Sequence, residues 1–171
     1  MLKTIAKFLK ILNSDAAPGQ ISLGFAFAMV AGFTPLMSLH NLIVLFLVLV
    51  LRVNLASFLL GLALFSTLAF ALDPLFHRLG LALLTAPALE ALWTTLYNST
   101  LWRLERFNNS IVMGSLTVSL ALFAPVVVMG NLLVRQYRDH VMQWVLRSRL
   151  MQAFQASKLY GYYQSVSGWE G

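Results

Sequence analysis

The chain has 171 residues, room for one domain; 59% are apolar and 11% charged, against about 45–50% and about 25% in ordinary soluble domains, which points into lipid. Cysteine is absent, so disulfides, thiolate metal sites and cysteine nucleophiles are excluded. The +6 net charge is concentrated toward the termini, where anionic lipid headgroups are a simpler partner than nucleic acid.

The opening stretch, MLKTIAKFLKILN, sets Lys3, Lys7 and Lys10 on one helical face, with Leu2, Ile5, Leu9 and Leu12 opposite. Interleaved charge of this kind is not the unbroken apolar core of a signal peptide, so residues 1–13 read as a retained amphipathic helix in the membrane interface. NSDAAPG breaks that helix at residues 13–19.

From Gly19 to Leu51 there is no charged residue. One helix over these 33 residues would be about 50 Å long, too long for a roughly 30 Å hydrocarbon core, and two ideal spans would need about 40 residues. The stretch is therefore a hairpin of two short or tilted helices, either fully crossing or re-entrant. GFTPLMSLHN makes the turn: Pro35 has no N–H to donate and restricts Thr34 before it. Thr34, Ser38, His40 and Asn41 can satisfy freed backbone groups, sit at headgroup level, or line a polar cavity shared with Asn54. Gly24, Ala28 and Gly32 form a small-residue stripe on the first helix, as Ala63, Thr67 and Ala71 do on the third. Such stripes suit close packing within the chain, with a homo-oligomer face as the alternative.

Arg52 ends the second helix, its side chain reaching toward phosphates, and Asn54 caps a span over residues 55–72. Asp73-Pro74 reads as a stop and restart. Residues 75–106, with Pro87, Trp93, Tyr97 and Trp102, read as one or two interfacial helices. Residues 111–134 form a second long span despite Pro125. The tail over residues 135–158, with Arg135, Arg138, Arg147 and Arg149, reads as a basic amphipathic helix against lipid headgroups.

The expected fold is thus all-α, integral to the membrane, with about four transmembrane helices. Under that topology nine basic residues lie on the side of the termini (Lys3, Lys7, Lys10, Arg52, Arg135, Arg138, Arg147, Arg149, Lys158) and three opposite (Arg78, Arg103, Arg106). The positive-inside rule then places both termini in the cytoplasm.

The stretch PGQISLGFAFAMVAGFTPLMSLHNLIVLFLVLVLRVNLASFLL resembles a family of small uncharacterised bacterial inner-membrane proteins grouped as a domain of unknown function. Gly32, Phe33 and Pro35 match its Gly-Phe-X-Pro turn, and Arg52, Asn54 and Leu55 its Arg-X-Asn-Leu motif. The resemblance extends over most of the chain, through LDPLFHRLG and RFNNSIVMGSL. Many broader members carry an Asn-Pro pair in the third helix, where this chain has Phe65-Ser66-Thr67. The resemblance implies fold and location; relatives fused to glycosyltransferase domains hint at an accessory role near lipid-linked chemistry.

Catalytic spacings such as His-Glu-X-X-His, Gly-X-Ser-X-Gly and phosphate-binding loops are absent from the sequence. Asp73 and His77 share a helical face and could orient an imidazole, although Asp73 also suits a cap and His77 the headgroup level. The expectation is a non-enzymatic accessory or scaffold subunit with a protein partner in the membrane, without cofactor or metal. The alternatives are a small transporter or channel component with its polar site at residues 32–41, and a role in lipid-linked substrate chemistry.

Overall fold

The computed structural model describes residues 16–142. The chain divides into two units, Met1–Val134 and Arg135–Gly171. In the first, α1 (Pro18–Phe33), α2 (Leu39–Val50) and α3 (Leu55–Leu84) follow through tight turns. A 3-10 turn (Pro87–Leu89) and the short helices α4 (Glu90–Tyr97) and α5 (Thr100–Leu104) lead into α6 (Ser110–Gln136). The described part of the second unit continues into a π-helical turn, Tyr137–Met142. The amphipathic helix expected over residues 1–13, with Lys3, Lys7 and Lys10, lies outside the described residues, as does the part beyond Met142 of the one expected over 135–158, with Arg147 and Arg149.

The innermost element is α1, apolar all round and buried at almost every position from Ile21 to Phe33, as a helix without a polar face must be. It lies parallel to α3 in a fixed register. A Cβ on Gly24 would meet Ser57 and Asn54, one on Gly61 would meet Ala28 and Phe25, and one on Gly32 would meet Phe65 and Ser66. The Gly24–Ala28–Gly32 stripe is therefore an intramolecular packing face, while Ala63, Thr67 and Ala71 are exposed. Phe27 meets Phe123 of α6 edge-on at 5.0 Å, and Phe33 lies between Phe65 and Phe76 at 5.3 and 5.2 Å. Near their junction α3 and α6 run antiparallel at backbone contact through Gly80 and Gly114.

Two expectations are corrected. The first is the count of about four transmembrane helices, the first two short: α1 and α2 have 16 and 12 residues. At 1.5 Å per residue they reach only about 24 and 18 Å. Among the described residues, the helices long and apolar enough to cross a membrane are two, α3 and α6. The second is the helix stop at Asp73-Pro74: α3 is one helix of 30 residues with Pro74 inside. Proline removes one i→i−4 bond at a cost of about 3 kcal/mol. Beyond it, Phe76 and Gly80 are buried against α6, and this tertiary contact holds the helix together.

Only 17% of the apolar stretch of α3 and 22% of that of α6 is buried. On α2, Asn41, Val44 and Val48 form the inner stripe, whereas Leu42, Ile43, Leu45, Phe46, Leu49 and Val50 are exposed. A soluble monomer rarely exposes contiguous apolar surface on this scale, whereas membrane association requires it.

Candidate functional site at the hairpin turn

The GFTPLMSLHN turn carries a compact set of polar side chains. Thr34 leaves the helical conformation at the end of α1 (φ −101°, ψ 158°), and Pro35 after it prevents continuation. The Thr34 hydroxyl donates to the Val30 carbonyl at 2.8 Å, satisfying one of the carbonyls that a helix end leaves open. Asn41, on the first turn of α2, donates from Nδ2 to the Pro35 carbonyl at 3.0 Å and to Thr34 Oγ1 at 3.2 Å. Thr34 and Asn41 are each only 4% exposed, so this pair is a sealed clasp between the two helices.

Beside it runs a second network. Ser38, the residue preceding α2, places Oγ 2.7 Å from the Pro35 carbonyl and 2.9 Å from His40 Nε2. The other ring nitrogen of His40, Nδ1, contacts Glu105 Oε1. Glu105 Oε2 accepts the His40 backbone N–H at 3.1 Å. The carboxylate thus caps α2 from a segment 65 residues away, where the positive end of the helix dipole favours it. The His40 and Glu105 side chains are 13% and 9% exposed.

Glu105 reaches this point because α5 ends at Leu104 and the chain reverses through Arg106, whose φ is +55°. Phe107 is then buried beside Trp93, and Asn109 Oδ1 accepts the N–H groups of Ile111 and Val112 to start α6. Trp93 donates its indole N–H to the Leu83 carbonyl at 2.9 Å, which folds residues 85–109 back onto the helix ends.

Of the residues expected at the polar site, Thr34, Pro35, Ser38, His40 and Asn41 are together. Asn54 is elsewhere: its Oδ1 accepts the Ser57 N–H at 2.8 Å, and its own N–H donates to the Gln20 carbonyl, so it caps α3 near the start of α1. Arg52 is exposed at that same turn with a left-handed φ of +51°. Arg135 is exposed on α6. Arg138 lies in the π-helical turn. Asp73 and His77 share no hydrogen bond; His77 Nδ1 pairs with Ser110 Oγ at 2.6 Å. A cleft of about 340 Å³ lies away from the hairpin, lined by Leu84, Trp93, Tyr97, Phe107 and Asn108 among others. Among the described residues, no group of three or more His, Cys, Asp or Glu could hold a metal ion.

The family described as "Uncharacterized protein conserved in bacteria (DUF2062)" matches residues 3–143. The chain belongs to this family. A relative, an uncharacterized protein of Treponema pallidum (strain Nichols), is 23% identical over 141 residues, covering 82% of this chain and 87% of its own. No solved structure matches. Membership in DUF2062 brings a bacterial setting and no activity, so the chemistry rests on the residues described above.

Proposed function

We propose that this DUF2062 protein is an integral protein of the bacterial inner membrane, with both termini cytoplasmic, that serves as an accessory or scaffold subunit beside a membrane partner. In this reading α3 and α6 cross the bilayer, and α1–α2 is a re-entrant hairpin held within it. The register supports that depth: Gly32, near the end of α1, faces Phe65 and Ser66 of α3. Seven residues, or about 10 Å, separate Ser66 from Asp73, the first charge on α3. The turn therefore stops below the level of Asp73, His77 and Arg78, and Glu105, from the segment over residues 85–109, reaches it at His40. The distribution of Lys and Arg favours cytoplasmic termini, with the basic ends against anionic headgroups.

The observation that carries the scaffold reading is the sealed Thr34–Asn41 clasp. A transport site at residues 32–41 needs water to reach those groups, and they are instead paired with each other and with backbone. The test is gentle extraction of the tagged full chain from its native membrane, followed by mass spectrometry of what co-purifies. A stoichiometric protein partner is the expected result. A chain that emerges alone, or only with itself and lipid, overturns the accessory role.

A further inference from the structure

The Ser38–His40–Glu105 network has an arrangement that a clasp does not need. Ser38 Oγ lies at hydrogen-bond distance from one ring nitrogen of His40, and a buried carboxylate contacts the other. A hydroxyl, a base and an orienting acid linked in this order are the parts of an activated nucleophile. The carboxylate accepts a hydrogen bond from Nδ1–H, which leaves the Nε2 lone pair facing Ser38. The Ser38 proton has two acceptors in reach, the Pro35 carbonyl and His40 Nε2, and rotation about one bond moves it between them.

We infer that Ser38, His40 and Glu105 form a site for acyl transfer from lipid carboxylic esters, with Ser38 as nucleophile. The ester class follows from the surroundings. Ser38 is half-buried, and the residues before it, Leu36 and Met37, are exposed and apolar. An acyl chain can lie against them while its carbonyl meets Oγ. The inference rests on the proposed membrane setting only for the source of the ester.

The step balances as follows. Ser38 Oγ attacks the ester carbonyl carbon and its proton passes to His40 Nε2. The tetrahedral intermediate collapses, the C–O bond to the alcohol breaks, and Nε2 returns the proton to the leaving oxygen. The hydroxyl of an acceptor lipid then attacks acyl-Ser38 and gives its proton to His40 Nε2; the bond to Ser38 Oγ breaks, Nε2 returns the proton to Oγ, and the new ester leaves. The Leu39 N–H, on the residue after the nucleophile, occupies the chain position that donates to the oxyanion in α/β-hydrolases. Ser38 and His40 are the catalytic residues; Glu105 is a positioning residue that holds the ring.

The experiment treats the purified full chain in detergent with an alkyl fluorophosphonate and locates the adduct by peptide mass spectrometry, so it needs neither a partner nor a bilayer. A label on Ser38 is expected, lost in Ser38→Ala and slowed at least tenfold in His40→Ala. Glu105→Gln keeps the side-chain size and slows labelling at least tenfold without changing the far-UV circular dichroism; a merely structural Glu105 would leave the rate untouched. Ser110→Ala, which alters the other Ser–His pair, keeps the label. No label on Ser38 in the folded chain, or a Ser38 label indifferent to His40→Ala, overturns the inference. A chain that labels at Ser38 yet washes from membranes in alkaline carbonate would refute the membrane setting and leave the nucleophile standing.

Discussion

The junction of α3 and α6 allows a quantitative test of the fold. A Cβ on Gly114 would lie 1.9 Å from the Phe76 carbonyl oxygen, and one on Gly80 would lie 1.8 Å from the Ser110 carbonyl oxygen. Both obstacles are backbone, so no rotamer change removes them. A carbon–oxygen contact needs about 3.3 Å, and Gly114→Ala must therefore part the helices by about 1.4 Å. A gap near 1 Å already forfeits up to half of the dispersion attraction between facing atoms. Overpacking of a tight interior costs about 1–3 kcal/mol, and two rigid backbones put this site at the upper end. Alanine is the better helix former by about 1 kcal/mol, which leaves a net loss of about 2 kcal/mol. Gly80→Ala should cost the same, and the double variant less than twice as much, because one widening admits both methyl groups. The assay is SDS titration of the purified protein in mixed micelles, followed by circular dichroism. Gly19→Ala is the control, since a Cβ there meets nothing within 4 Å. A Gly114→Ala protein as stable as its parent would refute the backbone contact.

Glu105→Ala leaves the His40 N–H and imidazole without their partner; it should cost about 2 kcal/mol and speed proteolysis within residues 85–109, read by limited digestion. Asn54→Ala removes the cap of α3 and should cost about 1 kcal/mol in the same SDS titration. Because the chain has no cysteine, single cysteines report topology without background: if the hairpin is re-entrant as proposed, Tyr97→Cys should react with an impermeant maleimide on intact spheroplasts, and Met37→Cys should not. Equal reaction at both positions would place the turn at the outer surface.

Much of this architecture is readable in the sequence because apolar length and breakers act locally. A charge-free run too long for one span, with Thr34-Pro35 inside it, has to fold as a hairpin. The spacing of Gly24, Ala28 and Gly32 likewise announces a close-packed face, which α3 fills. Asp73-Pro74 misleads for the same reason: it is a strong local stop signal, overridden by the contact of Phe76 and Gly80 with α6. That contact depends on a helix beginning 36 residues beyond Pro74, at Ser110, and no window around Pro74 contains it. Asn54 shows the opposite error. Its polarity groups it with the hairpin, but the antiparallel run of α2 carries it to the other end of α1.

Glu105 is not legible as a site residue in the sequence, and the reason is physical. Its neighbours Arg103 and Arg106 make it look like one member of an exposed charged turn. Its burial depends on the left-handed Arg106, on Phe107 docking beside Trp93, and on α2 presenting an uncapped N–H at the right height. The available signal is an imbalance: a helix start at residues 38–41 with no acidic residue in its first turn, and a histidine needing a partner. A carboxylate from elsewhere satisfies both at once. Thr34 and Asn41 join α1 to α2 by neutral hydrogen bonds, whereas Glu105 joins that pair to the segment preceding α6 by a charge-assisted one. The hairpin and the 85–109 segment, far apart in sequence, are therefore coupled most directly through His40. A substitution at His40 should disturb both while leaving the α3–α6 contact at Gly80 and Gly114 intact.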